Sequence, residues 1–502
     1  MAGRAIDHIL ASKKCLIERN DCRGGSLLRY TDRMIWPIPD LGPIYDVTAW
    51  VIRLGALVIV PFKRKSTAAA WLLFLFMLPV PGLLLFLAIG EPRFPRWRIK
   101  RFQQSRPFID GVAAKLRAAA PVQADADTPA VELIKRIGHF PGVDGNAIEL
   151  IGDYDATLDR LVDDIDGARH SVRLLIYIFA DDAVAMKVIA ALGRAVQRGV
   201  TCEVLVDPIG SSKWVKGTRK ALKAAGVEVR EALPFHWLRG RTRRDMRNHR
   251  KLFVIDGTIG YAGSQNIVAK DFRKGIVNRE LVARCTGPIV LAMEAVIFDD
   301  WFLETERPPP ADLPVPAHTG DAVLQLLPSG ADYRLEGFET VLVWQLHQAH
   351  DRAIIVSPYF IPDEDVLGAL KTAAVRGVAI DLIVSKVVDQ RLVNLAQRSY
   401  YDDLLAAGVR IHLFRDFLLH AKNASIDGKI GVIGSSNVDL RSFQLNEEVS
   451  LFLLDLKSVA SLEAIQNGYL KSSDTVDLPE WRRRSKPAMF AENLARLVSP
   501  LL

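Results

Sequence analysis

Two stretches of this chain place an imidazole and an ammonium two residues apart. The first, His249-Arg250-Lys251, runs through apolar residues to Asp256 and on to Gly263-Ser264-Gln265-Asn266. The second, His420-Ala421-Lys422, runs to Asp427 and on to Gly434-Ser435-Ser436-Asn437. Every matched position, from His to Asn, is offset by 171 residues. One short pattern recurs by chance; two in a single register on apolar runs are a strong signal. On a strand, alternate residues share a face, so the His and Lys of each copy project together. An imidazole can be a nucleophile or a general acid near neutral pH, and an adjacent ammonium neutralises phosphoryl oxygens. Ser264, Asn266, Ser435 and Asn437 add neutral donors for binding a substrate phosphate. Two such sets, facing each other, would provide one attacking and one protonating imidazole around a single phosphodiester.

Asp256 and Asp427 complete the two catalytic motifs. Each ends a strand run just before Gly257 or Gly428, so each is expected to serve its motif through a tight turn. A reacting imidazole also needs a partner to hold its tautomer, typically a carboxylate. Glu280 and Glu448, 31 and 28 residues beyond the two histidines and within apolar runs, are the candidates.

The elements carrying these residues repeat as well. Val172–Phe179 reads as a strand, and Ala183–Arg198 as a helix stopped by Arg198-Gly199-Val200 before a strand at Cys202–Val206. In the second half Ile354–Val356, a helix stopped by Arg376-Gly377-Val378, and Ile380–Val384 echo that order. Ala224-Ala225-Gly226-Val227 is echoed by Ala406-Ala407-Gly408-Val409. This alternation predicts an α/β fold of two similar halves with a largely parallel or mixed sheet. The expected halves are residues 128–305 and 321–502, joined by the Pro-rich stretch 306–320.

Ahead of them, Val47–Phe62 is apolar but short and interrupted by Arg53, while Ala68–Ile89 carries no charge over 22 residues. At about 1.5 Å per residue the second run reaches about 33 Å, enough for one kinked membrane span. The first is expected to be a short span, a re-entrant hairpin or an interfacial helix. Over residues 41–105, nine Lys or Arg face two acids, an excess equal to the whole chain's net charge of +7. Basic charge concentrated beside apolar runs points to anionic lipid rather than nucleic acid. Pro92–Arg101, with Phe94, Trp97 and Phe102 among its charges, reads as a headgroup-level anchor of a membrane segment 47–105. Residues 106–127 read as a linker, and 1–46 are unassigned. The Arg239–Arg250 run reads as a solvated charge run, an anionic headgroup cradle or a nucleic-acid contact. The cysteines, Cys15, Cys22, Cys202 and Cys285, form no ligand cluster, so no metal is expected.

The motif pair resembles the phospholipase D superfamily, in which two half-sites meet in one active site. The resemblance narrows to bacterial cardiolipin synthases of that type. It rests on Asn248-His249-Arg250-Lys251, Gly263-Ser264-Gln265-Asn266-Ile267, Gly287-Pro288, Asp300-Trp301, Ser357-Pro358-Tyr359-Phe360 and Asp439-Leu440-Arg441-Ser442-Phe443, and covers about residues 47–502. Asn278, where the family often has an aromatic residue, and Glu447, where Phe is common, depart from it. The resemblance implies two phospholipase D-like αβ halves sharing one active site behind N-terminal membrane helices. It implies phosphatidyl transfer between two phosphatidylglycerols, giving cardiolipin and glycerol without cofactor. His249 would attack phosphorus, His420 would act as acid and base, and Glu280 and Glu448 would orient them. The partners implied are phosphatidylglycerol and anionic membrane lipid, with no nucleic acid. The place implied is the bacterial inner membrane, multi-pass or hairpin-anchored, with the catalytic part cytoplasmic. A phospholipase D hydrolase and a membrane-bound phosphodiesterase or nuclease of the same superfamily are the alternatives.

Overall fold

The computed structural model describes residues 42–62, 65–90, 94–122, 128–234, 245–333 and 335–497. Nearly all of the unassigned extension, the Lys63-Arg64 pair and Arg239–Arg244 lie outside these residues. The chain forms two compact units, Met1–Glu91 and Pro92–Leu502.

In the first unit, helix Gly42–Ile59 and the tight turn that follows it make a 21-residue apolar element, Gly42–Phe62. Among the described residues this is the one helix long and apolar enough to cross a membrane. The Ala68–Ile89 run, expected as a single kinked span, is instead two helices, Lys65–Met77 and Pro79–Ile89. Pro79 opens the second at a position where a missing N–H costs nothing. On one straight helix Trp71 and Phe86 would stand about 22 Å apart along the axis. Their ring centroids are 5.3 Å apart, so the chain reverses at Leu78. Gly82 permits the close approach: a Cβ there would lie 3.2 Å from the Leu75 Cα. The arms of this hairpin reach about 20 and 17 Å, and neither alone crosses a hydrocarbon layer of about 30 Å.

The second unit is built on one fifteen-stranded mixed sheet. From its middle outward the first half runs Val143–Ile151, Val282–Thr286, Ile259–Gly263, Leu252–Ile255, Ser171–Ile176, Thr201–Val206 and Glu228–Glu231. The second half runs the other way with the same order: Ala322–Ser329, Glu448–Leu453, Ile430–Gly434, Asn423–Ile426, Arg352–Val356, Ala379–Ser385 and Arg410–Phe414, with Ser473–Thr475 added at the edge. Val143–Ile151 and Ala322–Ser329 pair antiparallel and join the halves. The outer strands of each half pair parallel, and the motif-bearing inner strands antiparallel. Helix Ile289–Thr305 has apolar residues on every side and is buried nearly throughout, its acids Glu294, Asp300 and Glu304 each paired with an arginine. Residues 306–320 contain no helix or strand.

Residues 94–119 differ from the expected anchor and linker. Helix Arg96–Ala119 packs on Ile289–Thr305 within the second unit. Arg98 is fully buried, paired with Glu304 at 2.6 Å and Asp332 at 3.1 Å. Arg101 pairs with Glu306 and stacks on Trp97. Carboxylates far along the chain, invisible to local composition, have turned part of a basic flank into core.

Candidate active site

Each histidine lies on an extended segment just ahead of a fully buried strand, Leu252–Ile255 or Asn423–Ile426. The segment is held by the opposite half. The His249 N–H donates to the Glu447 carbonyl and the Glu447 N–H to the Arg247 carbonyl, both at 2.8 Å. The His420 N–H donates to the Arg279 carbonyl, again at 2.8 Å. These ladders put each candidate glutamate against the other half's histidine. His249 Nδ1 lies 3.0 Å from Glu448, and His420 Nδ1 lies 2.7 Å from Glu280.

Both imidazoles are buried, and burial lowers their pKa values, that of His420 to about 4. Burial alone would raise the two glutamates. The facing imidazole, the nearby lysine and a serine outweigh it and hold both below the ordinary range. An ionised carboxylate at Nδ1 requires a proton there, so the lone pair of each neutral ring is on Nε2.

Lys251 and Lys422 share the histidines' face as expected. Each ammonium donates to the carbonyl of the histidine two residues back, at 2.6 Å. Lys422 also lies 3.2 Å from His420 Nε2. Burial pushes Lys251 down to about 7 and Lys422 down to about 8. Such groups hold their protons readily once an anion lies beside them.

His249, His420, Asn266 and Asn437 line one cavity of about 220 Å³ between the halves. A space of that size takes a phosphodiester headgroup. Asn266 accepts from the Ile178 N–H through its carboxamide oxygen, leaving its NH2 as donor.

Ser264 and Ser435, expected on the phosphate, are fully buried and do not line the cavity. Ser435 donates to Glu448, and Ser264 bonds Glu280 while bridging the Leu281 backbone. They brace the glutamates. The preceding glycines are imposed by the same crossing: a Cβ on Gly263 or Gly434 would lie 2.5 Å from the carbonyl oxygen of Leu281 or Val449.

Asp256 and Asp427 stand at the far ends of their strands, on the order of 20 Å of extended chain from the histidines. Each adopts positive φ ahead of a glycine that does the same. Asp256 accepts the N–H groups of Arg169, His170 and Ser171 within 2.8 Å, and Asp427 those of His350, Asp351 and Arg352 within 2.9 Å. They latch a neighbouring strand entry and touch nothing in the cavity.

The arginines nearest His249 are not a headgroup cradle. Arg247 is buried on Asp207, and Arg250 is buried between Asp300 at 2.6 Å and Glu447 at 2.8 Å. Alternation on the strand sends Arg250 away from His249 and Lys251 into the contact between halves. Glu447 therefore belongs to that contact. Burial raises its carboxyl against the pull of Arg250.

Several lining residues were missed. Tyr177 and Tyr359 lie just beyond the equivalent strands Ser171–Ile176 and Arg352–Val356 and stand 4.6 and 6.2 Å, centroid to centroid, from His249 and His420. Asn278 and Asn446 each sit two residues before an orienting glutamate. This second repeat, N-x-E, is offset by 168 residues instead of 171 and was readable in the sequence. Arg273 and Arg441 line the cavity as well, whereas Lys251 and Lys422 stand behind the histidines and are not part of its lining.

Two mirrored αβ halves, closing over paired imidazoles, define a phospholipase D-like protein. The family described as "Cardiolipin synthase, PLD-like domain" matches residues 161–301 and 342–468. The cardiolipin synthase A of Erwinia tasmaniensis is 34% identical over 90% of this chain and 97% of its own length. That of Shigella flexneri is 33% identical over 91% of this chain and 99% of its own. The crystal structure of a phosphatidylserine synthase from Haemophilus influenzae covers 74% of this chain and all of its own, at a TM-score of 0.58 and 14% identity, a likeness of fold. The chain belongs to the cardiolipin synthase family.

Proposed function

We propose that this chain moves a phosphatidyl group from one phosphatidylglycerol to the headgroup hydroxyl of another, giving cardiolipin and glycerol. By family it is an enzyme, a phosphatidyltransferase of the cardiolipin synthase type. The observation that carries the mechanism is the crossed pairing: two neutral imidazoles in one cavity, each held by the opposite half's carboxylate. Nε2 of His249 attacks phosphorus, and the bond from phosphorus to the leaving glycerol oxygen breaks. His420 takes up a proton from solvent on Nε2 as the anionic substrate binds, its proton affinity raised by that charge, and delivers it to the glycerol oxygen as that oxygen leaves. The acceptor's hydroxyl then gives its proton to His420 and attacks phosphorus, and the phosphorus–nitrogen bond breaks. Lys251, Lys422, Asn266 and Asn437 neutralise and orient the phosphoryl oxygens.

Part of this proposal is that Gly42–Phe62 and the hairpin seat the enzyme in the bacterial inner membrane. The sequence around these apolar runs carries more Lys and Arg than acids, and the positive-inside tendency assigns such a flank to the cytoplasm. The deciding experiment gives purified enzyme phosphatidylglycerol alone. Cardiolipin and free glycerol in equal amounts support the reading; phosphatidic acid instead would make the chain a hydrolase. Acid-labile label from the phosphatidyl group should sit on His249 and build up in His420→Ala.

A further inference from the structure

Transfer between two anionic lipids brings a second phosphate into the site, one glycerol away from the phosphorus under attack. The proposed reaction assigns the matched lysines and asparagines of the two half-sites to the first phosphate. The cavity lining itself holds two guanidinium groups, Arg273 from the first half and Arg441 from the second. They lie on opposite flanks. Arg273 pairs with the buried Asp389 and reaches the Tyr359 hydroxyl. Tyr359 donates to the same Asp389 at 2.6 Å, and its ring faces His420. Arg273 therefore stands on the His420 flank, fixed across the two halves. Arg441 donates to the Asp245 carbonyl at 3.1 Å and acts electrostatically on Tyr177, the ring facing His249.

In-line displacement separates these flanks chemically. If His249 attacks, glycerol leaves beside His420 and the acceptor's glycerol enters there, because His420 must take its proton. The acceptor's phosphate then extends outward on the same flank. A guanidinium presents five donors in a fixed fork and suits a phosphate better than a point charge does. Asp389 and stacking on Phe272 at 5.1 Å orient Arg273 without covering it, since its side chain keeps 35% exposure. We propose that Arg273 is the acceptor-phosphate residue: it binds the phosphate of the incoming phosphatidylglycerol and so favours lipid over water or free glycerol as acceptor. This rests on the reading that His249 is the nucleophile.

The test compares two acceptors in one reaction. Full-length enzyme acts on phosphatidylglycerol in mixed micelles with labelled glycerol. Exchange of label into phosphatidylglycerol uses a neutral acceptor, and cardiolipin formation uses an anionic one. Arg273→Ala should lower the ratio of cardiolipin formed to glycerol exchanged at least tenfold, through a higher KM for the lipid acceptor. Arg273→Lys should recover part of it, and Arg441→Ala should shift the ratio much less. An unchanged ratio in Arg273→Ala overturns the proposal. So does a parallel loss of both reactions, which would place Arg273 in the shared first step, and so does a fall confined to Arg441→Ala. If the unaltered enzyme exchanges no glycerol and makes no cardiolipin, the functional reading fails instead.

Discussion

His249 of the first half is oriented by Glu448 of the second, its Nδ1 3.0 Å from both carboxylate oxygens. His420 repeats the arrangement with Glu280 at 2.7 Å. Neither half alone contains a complete His–Glu pair. The shared site is thus a consequence of the interface and not only of the motifs.

Replacing Glu448 by Gln should lower kcat by about 10²–10⁴-fold, the range for losing a positioned acid or base. A carboxamide can present its NH2 to Nδ1 and stabilise the wrong tautomer. KM should change little. The double variant His249→Ala with Glu448→Gln should be no slower than His249→Ala alone, because the two act as a unit. Multiplying losses in the double variant, read from glycerol release, would mean that Glu448 works independently of His249.

The pH dependence of KM follows from the lysines. Their pKa values are lowered by burial, to about 7 for Lys251 and about 8 for Lys422. In the empty site each is charged below its pKa and neutral above it. An anionic phosphate prefers the charged form. KM should therefore be flat below about pH 7 and rise through pH 7 to 8 as binding comes to require proton uptake. Initial rates across that window decide it, and a KM that falls with rising pH would be incompatible with these assignments.

Much of this was legible because the duplication is strict. A constant 171-residue offset from His to Asn announced two equivalent half-sites, and the αβ alternation announced the repeated halves. The tyrosines and the N-x-E pairs repeat at other offsets, since the connecting segments differ in length, so a single-register comparison passes over them. Which glutamate serves which histidine is decided through space between halves, and no local pattern encodes that. The same holds for Arg98 and Arg250, whose charges suggested lipid but whose carboxylate partners lie 206, 50 and 197 residues away. The reversal at Leu78 was hidden for another reason: a proline pair is compatible with either a kink or a turn, and only the Trp71–Phe86 contact distinguishes them.

Arg250 should behave as a stability residue. Arg250→Met leaves Asp300 and Glu447 buried without their cation, a situation that costs about 3–5 kcal/mol. The thermal midpoint should fall by several degrees. Adding Glu447→Leu should recover part of the loss, because the pair is then replaced by apolar surface. A double variant less stable than Arg250→Met would show that Glu447 is held by other groups.

Asp256→Ala separates latch from chemistry. It strips the acceptor from three backbone N–H groups at the entry to Ser171–Ile176. Two of these bonds are exposed and the one to Ser171 is part-buried, so each should contribute about 0.5–1.5 kcal/mol. The denaturation midpoint should drop, while kcat per folded molecule stays within about threefold. A loss of 100-fold or more in kcat with unaltered stability would return Asp256 to the catalytic set.

The first compact unit should matter for reaching substrate and not for chemistry. The acyl chains of the substrate stay in the bilayer, so the phosphodiester is accessible only at headgroup level. An anchor makes each encounter effectively intramolecular, with local concentrations of order mM for a short tether. Residues from Pro92 onward form a compact unit with its own core, including the buried Arg98 ion pairs, so a chain beginning at Pro92 retains every contact described around the cavity. That chain should turn over a short-chain, water-soluble phosphatidylglycerol within about twofold of the full-length rate. On vesicles of long-chain phosphatidylglycerol at physiological salt it should be at least tenfold slower and should remain in the supernatant when vesicles are sedimented. Exposed Arg96 and Lys100 contribute about 1 kcal/mol each near an anionic surface, so lowering the salt should restore part of the vesicle rate in the truncated chain and little in the full one. Vesicle turnover equal to the full-length rate at physiological salt would show that the catalytic halves bind the bilayer unaided and that Gly42–Phe62 and its hairpin serve some other end.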